Sequence, residues 1–246
     1  MRFLTGILLL GAAMTSSADP ISVLSGGAAK SFIEPLARTF PGHTVKLEFQ
    51  PMGKLTRSLA DGYPADMVVV TTEVLDQLKD DPKVNLKAAK PIARVGIGVA
   101  VHESAPLPDI RTVEAFRKTL LAAKSVVYID PQVGTSGKHV AEILRRLGIA
   151  EQVNAKAKLG SGGYVTEPVG RGEIELGIHQ ISEILPVKGV KLAGPLPPEL
   201  QKYTVYVAVP VTQSSKQPAV SDFIRHLTGP AARERLAQAG YTAPGE

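Results

Sequence analysis

The chain alternates short apolar runs with segments whose apolar residues recur every three or four positions. Residues 21–24 are a short apolar strand, and residues 67–70 (MVVV) form a continuous one, the kind buried on both faces of a parallel sheet. Val45, Leu47 and Phe49 alternate, which predicts a half-buried strand. Phe32, Ile33, Leu36 and Phe40 recur at helical spacing; Pro35 lies inside that pattern, so the helix is expected to start late or kink there. Leu55 and Leu59 predict one face of a short helix ending at Gly62. A second series follows: a helix over 113–121, a strand over 126–129 and a helix over 140–147. Next come a strand near 156–159, a helix near 165–170 and a strand over 175–178. Helices around 223–227 and 231–239 close the chain.

Two longer runs stand apart. Residues 92–101 (IARVGIGVAV) read as one long strand with glycines at 96 and 98, and glycine within a strand often marks a bend. Residues 204–209 (TVYVAV) read as a second, returning strand. Alternating strands and helices predict an α/β fold of mostly parallel sheets flanked by helices, and two crossings predict two lobes with a cleft between them. The expected division is 19–95 for the first part of lobe 1, 96–203 for lobe 2, and 204–246 for the return crossing and the rest of lobe 1.

Residues 1–18 are expected to be removed. Arg2, the apolar run 3–14 and the small residues Ser16, Ser17 and Ala18 follow the order of a cleavable export signal, and the run is short for a membrane span. That predicts export to the periplasm without a membrane anchor. The chain has no cysteine, which excludes disulfides, Cys-ligated metal and thiol nucleophiles. Its 28 basic and 23 acidic side chains leave a net charge of +5, a weak preference for anionic ligands. Nucleic acid is not expected: tryptophan is absent, aromatics are 5% of residues, and no basic cluster interleaves with them.

The strand over 126–129 runs into Asp130-Pro131-Gln132-Val133-Gly134-Thr135-Ser136-Gly137-Lys138, which resembles a phosphate grip. Counting positions removes the nucleotide, because a P-loop needs glycine at Gln132 and a hydroxyl at His139. What remains is a helix start at Thr135, Ser136 and Gly137 whose free N–H groups suit an anion, or an ordinary helix cap. The same strand, small residues, helix arrangement recurs at Gly27–Ala28, at Met52–Gly53 and before Tyr164. Several helix starts converging on one cleft would form an anion site.

These segments resemble a known family. SVLSGGAAKSFIEPLA, QPMGKLTRSLADGYPADMVVVT, VVYIDPQVGTSGKHVAEILRRLG and GRGEIELGIHQISEI are similar to the periplasmic substrate-binding proteins of ABC transporters, in their molybdate-binding-protein-like branch. The resemblance implies the two-lobed type II periplasmic-binding-protein fold and a ligand enclosed between lobes. It implies contacts at Gly27, Ala28, Met52, Gly53, Thr135, Ser136, Gly137, Tyr164 and Gln180. The family's serines fall near Ala28 and Gly53 and its tyrosine on Gln180, so three hydroxyl donors are missing. Lys30, Lys54, Lys138 and His179 lie in or beside these loops, although each lysine also fits a solvated helix position.

The expected function is capture of a small anion, a carboxylate in preference to an oxyanion, for an ABC permease in the inner membrane. The alternative, also implied by the family, is an isomerase interconverting trans- and cis-aconitate, with His179, Glu167 or a desolvated lysine as its acid–base group; Glu183 fits that description too. Glu167 and Glu183 equally fit surface carboxylates. The five histidines form no metal-ligand spacing, so neither metal nor cofactor is expected, and the protein is expected to be a monomer.

Overall fold

A computed structural model describes residues 19–245; the expected export signal lies outside them. The strands are β1 (Ile21–Gly26), β2 (Val45–Gln50), β3 (Met67–Thr71), β4 (Lys90–Val95), β5 (Ile97–His102), β6 (Val126–Ile129), β7 (Ala157–Gly160), β8 (Leu176–Gln180), β9 (Val190–Pro195) and β10 (Thr204–Pro210). The helices are α1 (Lys30–Arg38), α2 (Met52–Ala60), α3 (Thr72–Gln77), α4 (Val113–Ala122), α5 (Thr135–Arg146), α6 (Ala150–Asn154), α7 (Glu167–Gly170), α8 (Ile181–Ile184), α9 (Gln217–Thr228) and α10 (Pro230–Gln238).

The strands form two five-stranded sheets, β2-β1-β3-β10-β4 and β7-β6-β8-β5-β9. In the first, β2, β1 and β3 pair in parallel, and β10 is antiparallel to both β3 and β4. The second repeats this pattern, with β7, β6 and β8 parallel and β5 antiparallel to β8 and β9. Each sheet is therefore mixed: four strands run one way and one runs against them. The reversed strands are β5 and β10, those read as crossings in the sequence.

The continuous apolar strand behaves as its composition requires. Met67 and Val69 pack into one core cluster and Val68 and Val70 into another, on opposite faces of the first sheet. In the second sheet Val126 and Tyr128 face one cluster, Val127 and Ile129 the other. The alternating strand β2 is an edge strand, half-buried as expected.

Three details differ from the sequence reading. The long strand over 92–101 is two strands: Gly96 ends β4 in the first sheet and β5 begins the second. Gly98 lies inside the second sheet, where a Cβ would press on Leu192 and Ile181, so its small size serves packing. Helix α1 runs from Lys30 through Pro35, so it does not start late, and the proline leaves out the N–H that would bond the carbonyl of Ser31.

Asp66, from the Pro64-Ala65-Asp66 segment, staples the first lobe. Its carboxylate accepts from the backbone N–H of Ser22 (2.8 Å) and the hydroxyl of Ser214 (2.7 Å), and pairs with Lys216 at 3.3 Å. Lys216 also donates to the carbonyl of Pro20 (2.8 Å). Burial works against the charge, but these donors outweigh it and hold the carboxyl below its usual value. A depressed folded value means that the contribution is present above the ordinary carboxylate range and lost as pH falls through the folded value. Asp66→Asn is expected to lower stability at neutral pH by about 1–3 kcal/mol. The loss should shrink on acidification, as read by denaturant midpoints between about pH 7 and pH 3.

Candidate functional site

The parallel strands β1, β2 and β3 of one sheet and β6, β7 and β8 of the other end at the same gap. A cleft of about 360 Å³ lies there, lined from both sheets. The first lobe supplies the turn at Gly27–Ala28, Lys30, Phe49, Met52 and Thr71. The second supplies the turn from Val133 to Ser136, the loop from Ser161 to Tyr164, and His179, Gln180 and Glu183.

Local chemistry shapes each wall. The carboxylate of Asp130 accepts from the N–H of Gln132 (2.8 Å), while its carbonyl accepts from Val133 and Gly134. That turn delivers Thr135 and Ser136 to the start of the 12-residue helix α5, which has no side-chain cap. On the facing wall, the hydroxyl of Tyr241 donates to the carbonyl of Ala28 and accepts from Ser31 at 3.2 Å. Burial pushes that hydroxyl up to about 12, so it stays a donor and pins the Gly27–Ala28 turn.

Gln180 ties the lobes together at the floor of the cleft. Its amide donates to Thr204 Oγ1 (2.9 Å) and its carbonyl accepts from Tyr206 (3.2 Å), both on the reversed strand β10. Burial raises the Tyr206 hydroxyl well above its ordinary value, so it too remains a neutral donor. Close by, Thr71 and Ser182 line the cleft, and their hydroxyls are buried with no hydrogen-bond partner among the described residues.

His179, at the end of β8, is 1% exposed. Its Nδ1 lies 3.1 Å from Ser136 Oγ, and its Nε2 donates to the carbonyl of Gly163 at 3.1 Å. Glu183 Oε2, one turn later on α8, stands 2.9 Å from the same Nε2. Tyr164, at the rim, has its hydroxyl raised by burial first and then by the carboxylates of Glu183 and Glu34.

Gly27, Ala28, Met52, Thr135, Ser136, Tyr164, His179 and Gln180 thus share one cleft, and Gly53, Gly137 and Glu167 do not line it. Gly53 is exposed on the far side of the first turn of α2. Gly137 lies against β6, where a Cβ would run into the Ile129 carbonyl. Glu167 is exposed and pairs with Arg171 at 3.9 Å, while Glu183 takes the place beside the histidine. Thr71 and Tyr206 are cleft residues that the sequence reading missed; the one available signal was Thr71's place at the end of a fully apolar strand. Among the described residues, no group of three or more His, Asp or Glu could hold a metal ion. No helix there is long and apolar enough to cross a membrane.

A two-lobed α/β chain with its cleft at facing strand ends has the type II periplasmic-binding-protein fold. The periplasmic molybdate-binding protein of Azotobacter vinelandii shares it, with a TM-score of 0.75 over 91% of this chain and 99% of that one, at 18% identity. The chain belongs to the bacterial extracellular solute-binding protein family, whose model matches residues 21–242. It is 31% identical to an aconitate isomerase of Pseudomonas sp., across 96% of this chain and 93% of that protein. It is 26% identical to the molybdate-binding protein ModA of Escherichia coli (strain K12), across 90% and 88%.

The two glycines separate packing from ligand contact. Gly137→Ala is expected to destabilise the fold by about 1–3 kcal/mol through overpacking against β6. Gly53→Ala, in open space on a helix, should stabilise by up to about 1 kcal/mol. Thermal unfolding of the two variants checks both signs.

Proposed function

We propose that this chain is a periplasmic solute-binding protein, exported through the signal at residues 1–18. In this reading its lobes close on a small polycarboxylate anion and present it to an ABC permease. The observation that carries the reading is the cleft wall itself. Among the described residues Lys30 is its only lysine or arginine, and the remaining surface is largely apolar. The volume of about 360 Å³ suits a small organic molecule and exceeds a single tetrahedral oxyanion several-fold. An oxyanion cage would also lack donors: Ala28 offers no hydroxyl, Gly53 lies off the wall, and Gln180 is engaged with Thr204 and Tyr206.

Thermal-shift measurements should show stabilisation by trans-aconitate, citrate or tricarballylate, and little by molybdate or sulfate. Stabilisation by molybdate alone would overturn the polycarboxylate reading. Lys30→Gln should weaken binding of the stabilising acid roughly 10–100-fold, the loss of one charged contact.

A second reading, aconitate isomerisation, is favoured by the His179–Glu183 pair inside the cleft and by the relative of that name. One of these groups would take a proton from the methylene carbon beside a carboxylate as the double bond shifts. It would then return a proton to the former vinyl carbon, so no proton is consumed overall. Proton NMR of trans-aconitate with the protein should then show the cis isomer accumulating, and Glu183→Gln should abolish conversion while the acid still binds. Tight binding with no cis isomer after hours leaves a binding protein without chemistry.

A further inference from the structure

We propose that anion capture in this cleft takes up one proton onto His179, with the hydroxyl of Ser136 reporting that proton to the ligand. The inference rests on the reading of the cleft as an anion site. It follows from counting hydrogens around one imidazole. The neighbours of Nε2 are the Gly163 carbonyl at 3.1 Å, which can only accept, and Glu183 Oε2 at 2.9 Å, which accepts as a carboxylate. Nε2 therefore carries a hydrogen in either charge state of the ring. The neighbour of Nδ1 is Ser136 Oγ at 3.1 Å, a hydroxyl that can donate or accept.

With His179 neutral, Nδ1 holds a lone pair and Ser136 spends its single hydrogen on it. The serine oxygen then shows lone pairs to the cleft. An incoming anion meets those lone pairs and the carboxylate of Glu183, the only acidic side chain on the wall among the described residues. With His179 protonated, Nδ1–H donates to Ser136, whose own hydrogen turns to the cleft as a donor. The imidazolium also neutralises Glu183. An anion thus prefers the protonated form on both counts, and by linkage its binding must raise proton affinity at His179.

The other groups around the ring leave this assignment intact. From the loop after β7, Tyr164 keeps its proton because burial and the carboxylates of Glu183 and Glu34 raise it. From α5, the neighbouring His139 faces the carbonyl of Leu200 at 2.7 Å instead of the cleft. Across the cleft, Tyr206 and Tyr241 are neutral donors raised by burial, and Lys30 is the sole fixed cation on the wall among the described residues. Lys30 and Glu183 are therefore the charges that act on the imidazole from the cleft wall.

Isothermal titration of the mature protein with trans-aconitate, citrate or tricarballylate, in HEPES and in Tris at about pH 8, counts the protons taken up. The ligand's own titration, measured alone in the same buffers, is subtracted. We expect about one proton per anion at alkaline pH. Kd should rise by about tenfold per pH unit there. Nitrogen NMR of the His179 ring in the wild-type chain should show only Nε2 protonated in the free protein at about pH 8, and both nitrogens protonated once the anion is bound. Binding with no proton uptake and a pH-independent Kd, or a bound-state ring that stays neutral, overturns the proposal while leaving anion capture standing. Failure of every anion tested to bind overturns the anion reading, and this inference with it.

Discussion

Two antiparallel pairings, β10 against β3 and β5 against β8, underlie everything else in the molecule. Each is made by a strand that enters its sheet against the direction of the other four. Because those four run one way in each sheet, their carboxyl ends, with the loops and helix starts that follow, collect along one edge. The chain passes from β4 to β5 at Gly96 and returns into β10, so these edges face each other across the connections. The cleft is the consequence. The Gln180 amide, satisfied on both sides by Thr204 and Tyr206 of the returning strand, ties its floor to that same strand.

Three polar groups of the cleft are held by contacts from elsewhere in the chain. Tyr241 fixes the Gly27–Ala28 turn, Asp130 fixes the approach to Ser136, and His179 is engaged at both ring nitrogens. Against that background Lys30 stands as the one lysine or arginine among the described residues of the wall. An acidic side chain in an anion site is costly unless something neutralises it, and Glu183 stands within contact of the imidazole that can.

Much of the fold was legible because burial leaves a periodic imprint. The strand at residues 67–70 is apolar at every position because it faces a core cluster on each side, and β2 alternates because it stands at an edge. Elements that leave a weak imprint went unread: α3, α6 and α8 have six, five and four residues, and β9 is an edge strand with no fully buried side chain. The site was legible as a set of loops but not residue by residue. Gly53 and Gly137 resemble ligand glycines in sequence, yet one is exposed and the other yields to the Ile129 carbonyl.

The sequence by itself determined the α/β class, the two-lobed organisation and the loops from which a site could be made. These follow from hydrophobic period and from small residues at helix starts, which are local properties. Tertiary structure alone decided that Glu183, and not Glu167, accompanies His179. One lies on the strand–helix junction facing the gap, the other on an outer turn paired with Arg171. It also decided that Ser136 meets His179 although 43 residues separate them. Such contacts depend on which strands lie side by side, and no local pattern of side chains carries that information.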